Sequence, residues 1–104
     1  MIIKNDPGQA RMTSENKMIL SALAEDLYRV ATGLHSGKQK IAAIFIKEVL
    51  NRKDIVDVSE VRPSISKSLD MLPEILQPIH GNTKKVAEDA LMYSIILRNY
   101  AQSL

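Results

Sequence analysis

The stretch TSENKMILSALAEDLYRVATGLHSGKQKIAAIFIKEVLNR, Thr13 to Arg52, decides the fold. Its first arm carries Leu20, Leu23, Leu27, Val30 and Leu34, in steps of 3, 4, 3 and 4 that keep side chains on one helical face. Ile19, Ala24 and Ala31 widen that stripe. Thr13 or Ser14 suits the N-cap, and Glu15 suits the positive end of the helix dipole. Met12, just before the cap, is placed to staple back. The second arm carries Ile41, Ala42, Ile44, Phe45, Ile46, Val49 and Leu50. That broad apolar face predicts a helix contacted from two sides. Between the arms, Gly33-Leu34-His35-Ser36-Gly37 reads as the corner. Gly33 is the expected left-handed C-terminal residue, and Ser36 with Gln39 the expected capping box of the second helix. A corner this short makes the helices antiparallel neighbours.

Outward from the hairpin, Asp6-Pro7-Gly8 is a turn signal, and 1–12 reads as an extended arm before a single helical domain, 13–104. Asn51 to Val58 reads as a connection that tucks Ile55, Val56 and Val58 over the core, because a lone strand has no partner. Ser59-Glu60 marks another helix start, with Pro63 in its first turn. Val61, Ile65, Leu69 and Leu72 form its stripe. Pro73 is expected to end or kink it, leaving a short Pro-rich helical turn near 73–80. Asn82 or Thr83 caps the last helix, whose stripe is Val86, Ala90, Tyr93, Leu97, Tyr100 and Leu104. The predicted fold is all-α: a small antiparallel four-helix bundle with helices near 14–32, 37–52, 60–72 and 83–102. Ile95, Ile96 and Leu97 run consecutively, so the last helix is expected to be central or to meet a second subunit. A homodimer is the expected assembly.

Composition removes several classes of function. With no cysteine there is no disulfide framework and no thiolate metal site. Two histidines, His35 and His80, do not complete a zinc site without carboxylates. No metal and no cofactor is therefore expected. The longest apolar run, Ile41 to Ile46, is far too short to span a bilayer, and the N-terminus lacks a signal-peptide pattern. The expectation is a cytoplasmic protein without membrane association. The net charge of +2 is unevenly spread: residues 29–53 alone carry +5. His35, Lys38, Lys40, Lys47, Arg52 and Lys53 thus form the candidate surface for an anion or a nucleic acid. The small net charge and the lack of interleaved aromatics do not favour nucleic acid. Carboxylates give no catalytic lead: Glu25-Asp26 and Glu88-Asp89 are adjacent pairs that point apart on a helix and read as surface charge.

Two short likenesses involve the corner. His35-Ser36-Gly37-Lys38 resembles the phosphoacceptor stretch of histidine phosphotransfer domains, helical bundles with a lysine three residues after the histidine and usually a glycine next. Here Gln39 follows, and the likeness implies phosphotransfer at His35. Local chemistry instead makes His35 an exposed corner residue, whereas that histidine projects from mid-helix. The spacing of Arg29 and His35 is similar to that in HEPN-type ribonucleases, which are helical and dimeric, although Val30 stands where a polar residue usually follows the arginine. Gly33 to Gln39 lacks the glycine spacing of a phosphate-binding loop, which excludes nucleotide hydrolysis. The leading expectation is a small helical protein–protein interaction or regulatory module, non-catalytic, whose protein partner is unknown.

Overall fold

The computed structural model describes residues 12–77 and 82–103. Helix α1 spans Ser14–His35, α2 Gln39–Ile55, α3 Pro63–Ile75 and α4 Thr83–Ser103. A single 3-10 turn, Val58–Glu60, precedes α3. No strand occurs among the described residues. The chain runs up, down, up, down: Asn16 at the start of α1 meets Asp57 just after α2, Arg62 before α3 meets Tyr100 near the end of α4, and α1 and α4 share recesses that set Ser21 near Gln102 and His35 near Thr83. The structure is an all-α antiparallel helical bundle, as the periodicities predict. The expected arm, 1–12, lies outside the described residues except for Met12, which packs against the core.

The predicted stripes are the core. Leu20, Leu23, Leu27 and Val30 of α1 are fully buried, and Ile65, Leu69 and Leu72 of α3 meet Leu97, Ala90 and Val86 of α4 in one cluster. Each buried leucine removes apolar surface worth about 1.5–3 kcal/mol from water. Small residues set which helices come closest. Ala24 and Ala31 of α1, with Ala90, Ser94 and Ala101 of α4, are all buried and keep side chains short where α1 and α4 meet. On the other side of α1, Gly33 faces Ala42 of α2: a Cβ built on Gly33 would stand 3.3 Å from the Ala42 Cβ. Helix α1 is thereby held between α2 and α4, with α3 closing the bundle.

The corner differs from the sequence expectation. Gly33 lies inside α1 rather than ending it. The left-handed residue is Gly37, at φ 75°. Lys38 N–H donates to Gly33 O at 2.7 Å, and Gly37 N–H to Leu34 O at 3.1 Å, which is the Schellman pattern. Lys38, not Ser36, occupies the N-cap of α2, and no side chain caps it. Gly33 serves close packing, a role that needs no φ > 0, so α1 continues for one more turn.

Two other boundaries shift. Asn51–Ile55 is helical rather than a connection, since Val49, Arg52 and Val56 continue the buried side of α2; Ile55 and Val58 are exposed and do not cover the core. Pro73 does not end α3. It falls near the C-terminus, where little helix follows it. Leu76 N–H still reaches Leu72 O at 3.1 Å, and both leucines are buried. Of the expected Pro-rich turn, 78–81 lies outside the described residues.

Polar contacts tie the loop after α2 to the start of α1. Thr13 caps α1, accepting from Asn16 N–H at 3.1 Å. Asn16 is buried, and its amide pairs with the Asp57 backbone in both directions: Nδ2 donates to Asp57 O at 3.1 Å, and Asp57 N–H donates to Oδ1 at 2.9 Å. Glu60 accepts from Thr13 N–H at 3.1 Å, so the N-cap donor left free by Asn16 is satisfied across the chain. Tyr100, also buried, accepts from Arg62 N–H at 3.1 Å, which locks the start of α3 to the end of α4.

Candidate interaction surface

The predicted basic residues do not converge. His35 ends α1, and Lys38 and Lys40 follow across the Gly37 turn; all three are exposed. Lys40 and Lys47 lie seven residues apart on the outer face of α2. Arg52 and Lys53 sit at the opposite end, and both are engaged. Arg52 bonds Asp26 and also meets Glu48 at 3.3 Å, while Lys53 meets Asp54 at 3.2 Å. Helix α2, 17 residues long, separates its two ends by about 25 Å at 1.5 Å per residue. One compact anion site built from all six is therefore not what the fold assembles.

Asp26 corrects the reading of Glu25-Asp26 as surface charge. Asp26 is 6% exposed and lies on the α1–α2 seam. Arg52 bonds it from α2, and Arg29 stands 3.8 Å away on α1. Burial raises the Asp26 carboxyl above its ordinary value, against the pull of Arg52 and Arg29. Arg29 also stacks over Phe45 of α2 at 5.5 Å. These groups form a structural clasp between two helices. Arg29 thus faces α2, whereas His35 borders α4, so the ribonuclease-like pair is not brought together. Among the described residues no cluster of three His, Asp or Glu side chains is arranged to hold a metal.

The surface that does form runs along the α1–α4 seam. Recesses of about 520, 380 and 390 Å³ follow one another there. The first two share Tyr28, and the last two share His35, Ala87 and Glu88, so they make one furrow. Tyr28, 51% exposed, stands over it opposite Leu91. Beside the furrow the outer side of α4 is unusually apolar. Leu91, Met92, Ile95 and Ile96 are exposed by 41, 49, 42 and 39%. Only the Ile95-Ile96-Leu97 run signalled this in the sequence; Leu97 turned out fully buried and the two isoleucines point outward.

Compared with known protein families, curated proteins and solved structures, the chain matches none of them. By its fold the chain is a small all-α bundle with an apolar outer face on α4. No described helix is long and apolar enough to cross a membrane.

Proposed function

We propose that this chain is a non-catalytic interaction module that docks a protein on the α1–α4 face. The observation that carries the reading is the group of four large apolar side chains, Leu91, Met92, Ile95 and Ile96, exposed within two turns of α4 beside Tyr28. Scattered exposed apolar residues are ordinary, but a contiguous set marks a contact surface. The furrow brings Thr32, His35, Ser36 and Glu88 to one recess, but the Thr32 hydroxyl donates to Arg29 O at 3.3 Å, no hydrogen bond joins His35 to a hydroxyl or to Glu88 among the described residues, and no metal-ligand set forms there, which supports binding rather than chemistry. A photo-reactive residue in place of Ile95 tests this, with one in place of Lys47 as the control. Irradiation in solution and in cells is expected to give protein adducts from position 95. Their absence in both settings would refute the reading.

A second reading is a polyanion on the outer side of α2. It is supported by Lys38, Lys40 and Lys47, which are exposed and make no ion pair among the described residues. Binding of an oligonucleotide or polyphosphate that weakens steeply with salt is expected under it, with each lysine-to-alanine change lowering the salt slope by about 1. A flat titration at low salt would remove it. His35, the last residue of α1 and exposed, is the position to follow for acid-labile phosphate from a phosphorylated response-regulator domain; an unlabelled His35 ends the phosphotransfer alternative.

A further inference from the structure

We infer that the partner on this face is a second copy of the same chain, bound through α4 in antiparallel register. The inference rests on the interaction-module reading and adds the occupant and the geometry. Helix α4 carries two stripes. The buried one holds the bundle together. The other comprises Lys84, Glu88, Leu91, Ile95, Arg98 and Gln102, in steps of 4, 3, 4, 3 and 4, and all six are exposed. That spacing lines the six up along the outside of the helix, apolar at Leu91 and Ile95 and polar at the four flanking positions.

The seam is self-complementary. In antiparallel pairing, positions whose numbers sum to a constant face each other. With the two-fold axis at residue 93, Leu91 meets the second copy's Ile95, and Glu88 meets its Arg98. Lys84 then meets Gln102. Each contact occurs twice, as an isologous interface requires. The centre is apolar and the flanks carry opposite charges. Within one chain Glu88 and Arg98 cannot pair: ten residues of helix hold them about 15 Å apart. Neither makes an ion pair among the described residues. A parallel arrangement would set Glu88 against Glu88 and Arg98 against Arg98, which disfavours it. Met92 and Ile96 of α4 and Tyr28 of α1 flank the seam and extend the apolar contact.

Sedimentation equilibrium of the full chain from low to high micromolar concentration tests the inference, with helicity followed by circular dichroism. The unaltered chain is expected to dimerise, and I95K to remain helical but monomeric. E88R and R98E each replace two attractions with two repulsions and are expected to weaken self-association about ten- to hundredfold. E88R/R98E restores both pairs and is expected to dimerise like the unaltered chain. Mixing E88R with R98E is expected to give the heterodimer, in which every facing pair is again opposite in sign. A monomer at all concentrations would overturn the inference. So would charge reversals without effect, or a double reversal no better than the singles. If the purified chain is monomeric while position 95 cross-links to a different protein, the module reading stands and this inference falls.

Discussion

The Asn16 side chain holds the Asp57 backbone by both its N–H and its C=O, at 2.9 and 3.1 Å, across 41 residues of sequence. The amide acts as a short piece of extended backbone would, pairing with a chain segment that has no strand partner. It sits at N3 of α1, where a glutamate or glutamine would ordinarily turn back to the N-cap. Glu60 takes over that duty. The loop between α2 and α3 is therefore fastened to α1 at two adjacent points, and this fixes where α3 begins.

Replacing Asn16 with alanine removes both bonds and is expected to cost about 1–2 kcal/mol. For a domain of this size that lowers Tm by about 4–8 °C per kcal/mol. Asn16→Asp keeps the shape but sets a carboxylate against the Asp57 carbonyl. Its folded-state pKa should lie above the unfolded value, because only the protonated form donates. The variant's deficit is then largest at neutral pH and shrinks as pH falls through that raised value. Thermal melts at neutral and acidic pH check both.

The Asp26–Arg52 clasp has its own pH signature. Burial raises the Asp26 carboxyl, so the folded state holds its proton more tightly than the unfolded one. Its contribution is most favourable below the unfolded value of 3.8 and declines as pH rises through the folded one. Arg52→Leu removes the principal opposing charge and raises Asp26 further. We expect a loss of about 1–3 kcal/mol at pH 7, below the range for a fully buried pair because Arg52 is partly solvated. The difference from the unaltered chain should shrink steadily toward pH 4. Urea denaturation across that range measures it. A deficit independent of pH would place the loss in packing rather than charge.

The two corner glycines should respond differently. Gly37→Ala forces an L side chain into the left-handed region and is expected to cost about 1 kcal/mol. Gly33 is helical, and its methyl would press on Ala42. Gly33→Val is expected to cost more than Gly33→Ala, since it forces α1 and α2 apart. Ala42→Gly should relieve much of the Gly33→Ala effect, but none of the Gly37→Ala effect, in a double-mutant cycle read by chemical denaturation.

The Asn16–Asp57, Asp26–Arg52 and Gly33–Ala42 contacts each join different segments of the chain, and local periodicity does not reveal them. Periodicity placed Leu20, Leu23, Leu27 and Val30 correctly because a helical face is a local property. The two glycines of the corner were locally equivalent as helix terminators. Only the approach of Ala42 assigned Gly33 to packing and left the positive φ to Gly37. Asp26 beside Glu25 looked like paired surface charge; its burial depends on Arg52, 26 residues on. Arg52 belongs to the candidate basic surface for the same reason, since Asp26 is remote in sequence; Lys53 differs, its partner Asp54 being the next residue. On α4 the inner stripe was legible because it is purely apolar in spacing. The outer seam mixes Lys84, Glu88 and Arg98 with Leu91 and Ile95, and its meaning emerged only once exposure separated the two faces.

The account's central claim is that α4 pairs through its outer seam with a second copy of the chain in antiparallel register, and a spin-label distance tests it most directly. The chain has no cysteine, so Asn99→Cys gives a single labelling site on the exposed flank of α4. Antiparallel pairing about residue 93 places the two labels twelve residues apart along the helix axes, so pulsed electron resonance should report about 20 Å. The same label in the I95K background should lose the coupling. A parallel contact would bring the labels to about 10 Å by the usual interhelical spacing. That result, or no dipolar coupling in the otherwise unaltered chain, would contradict the account.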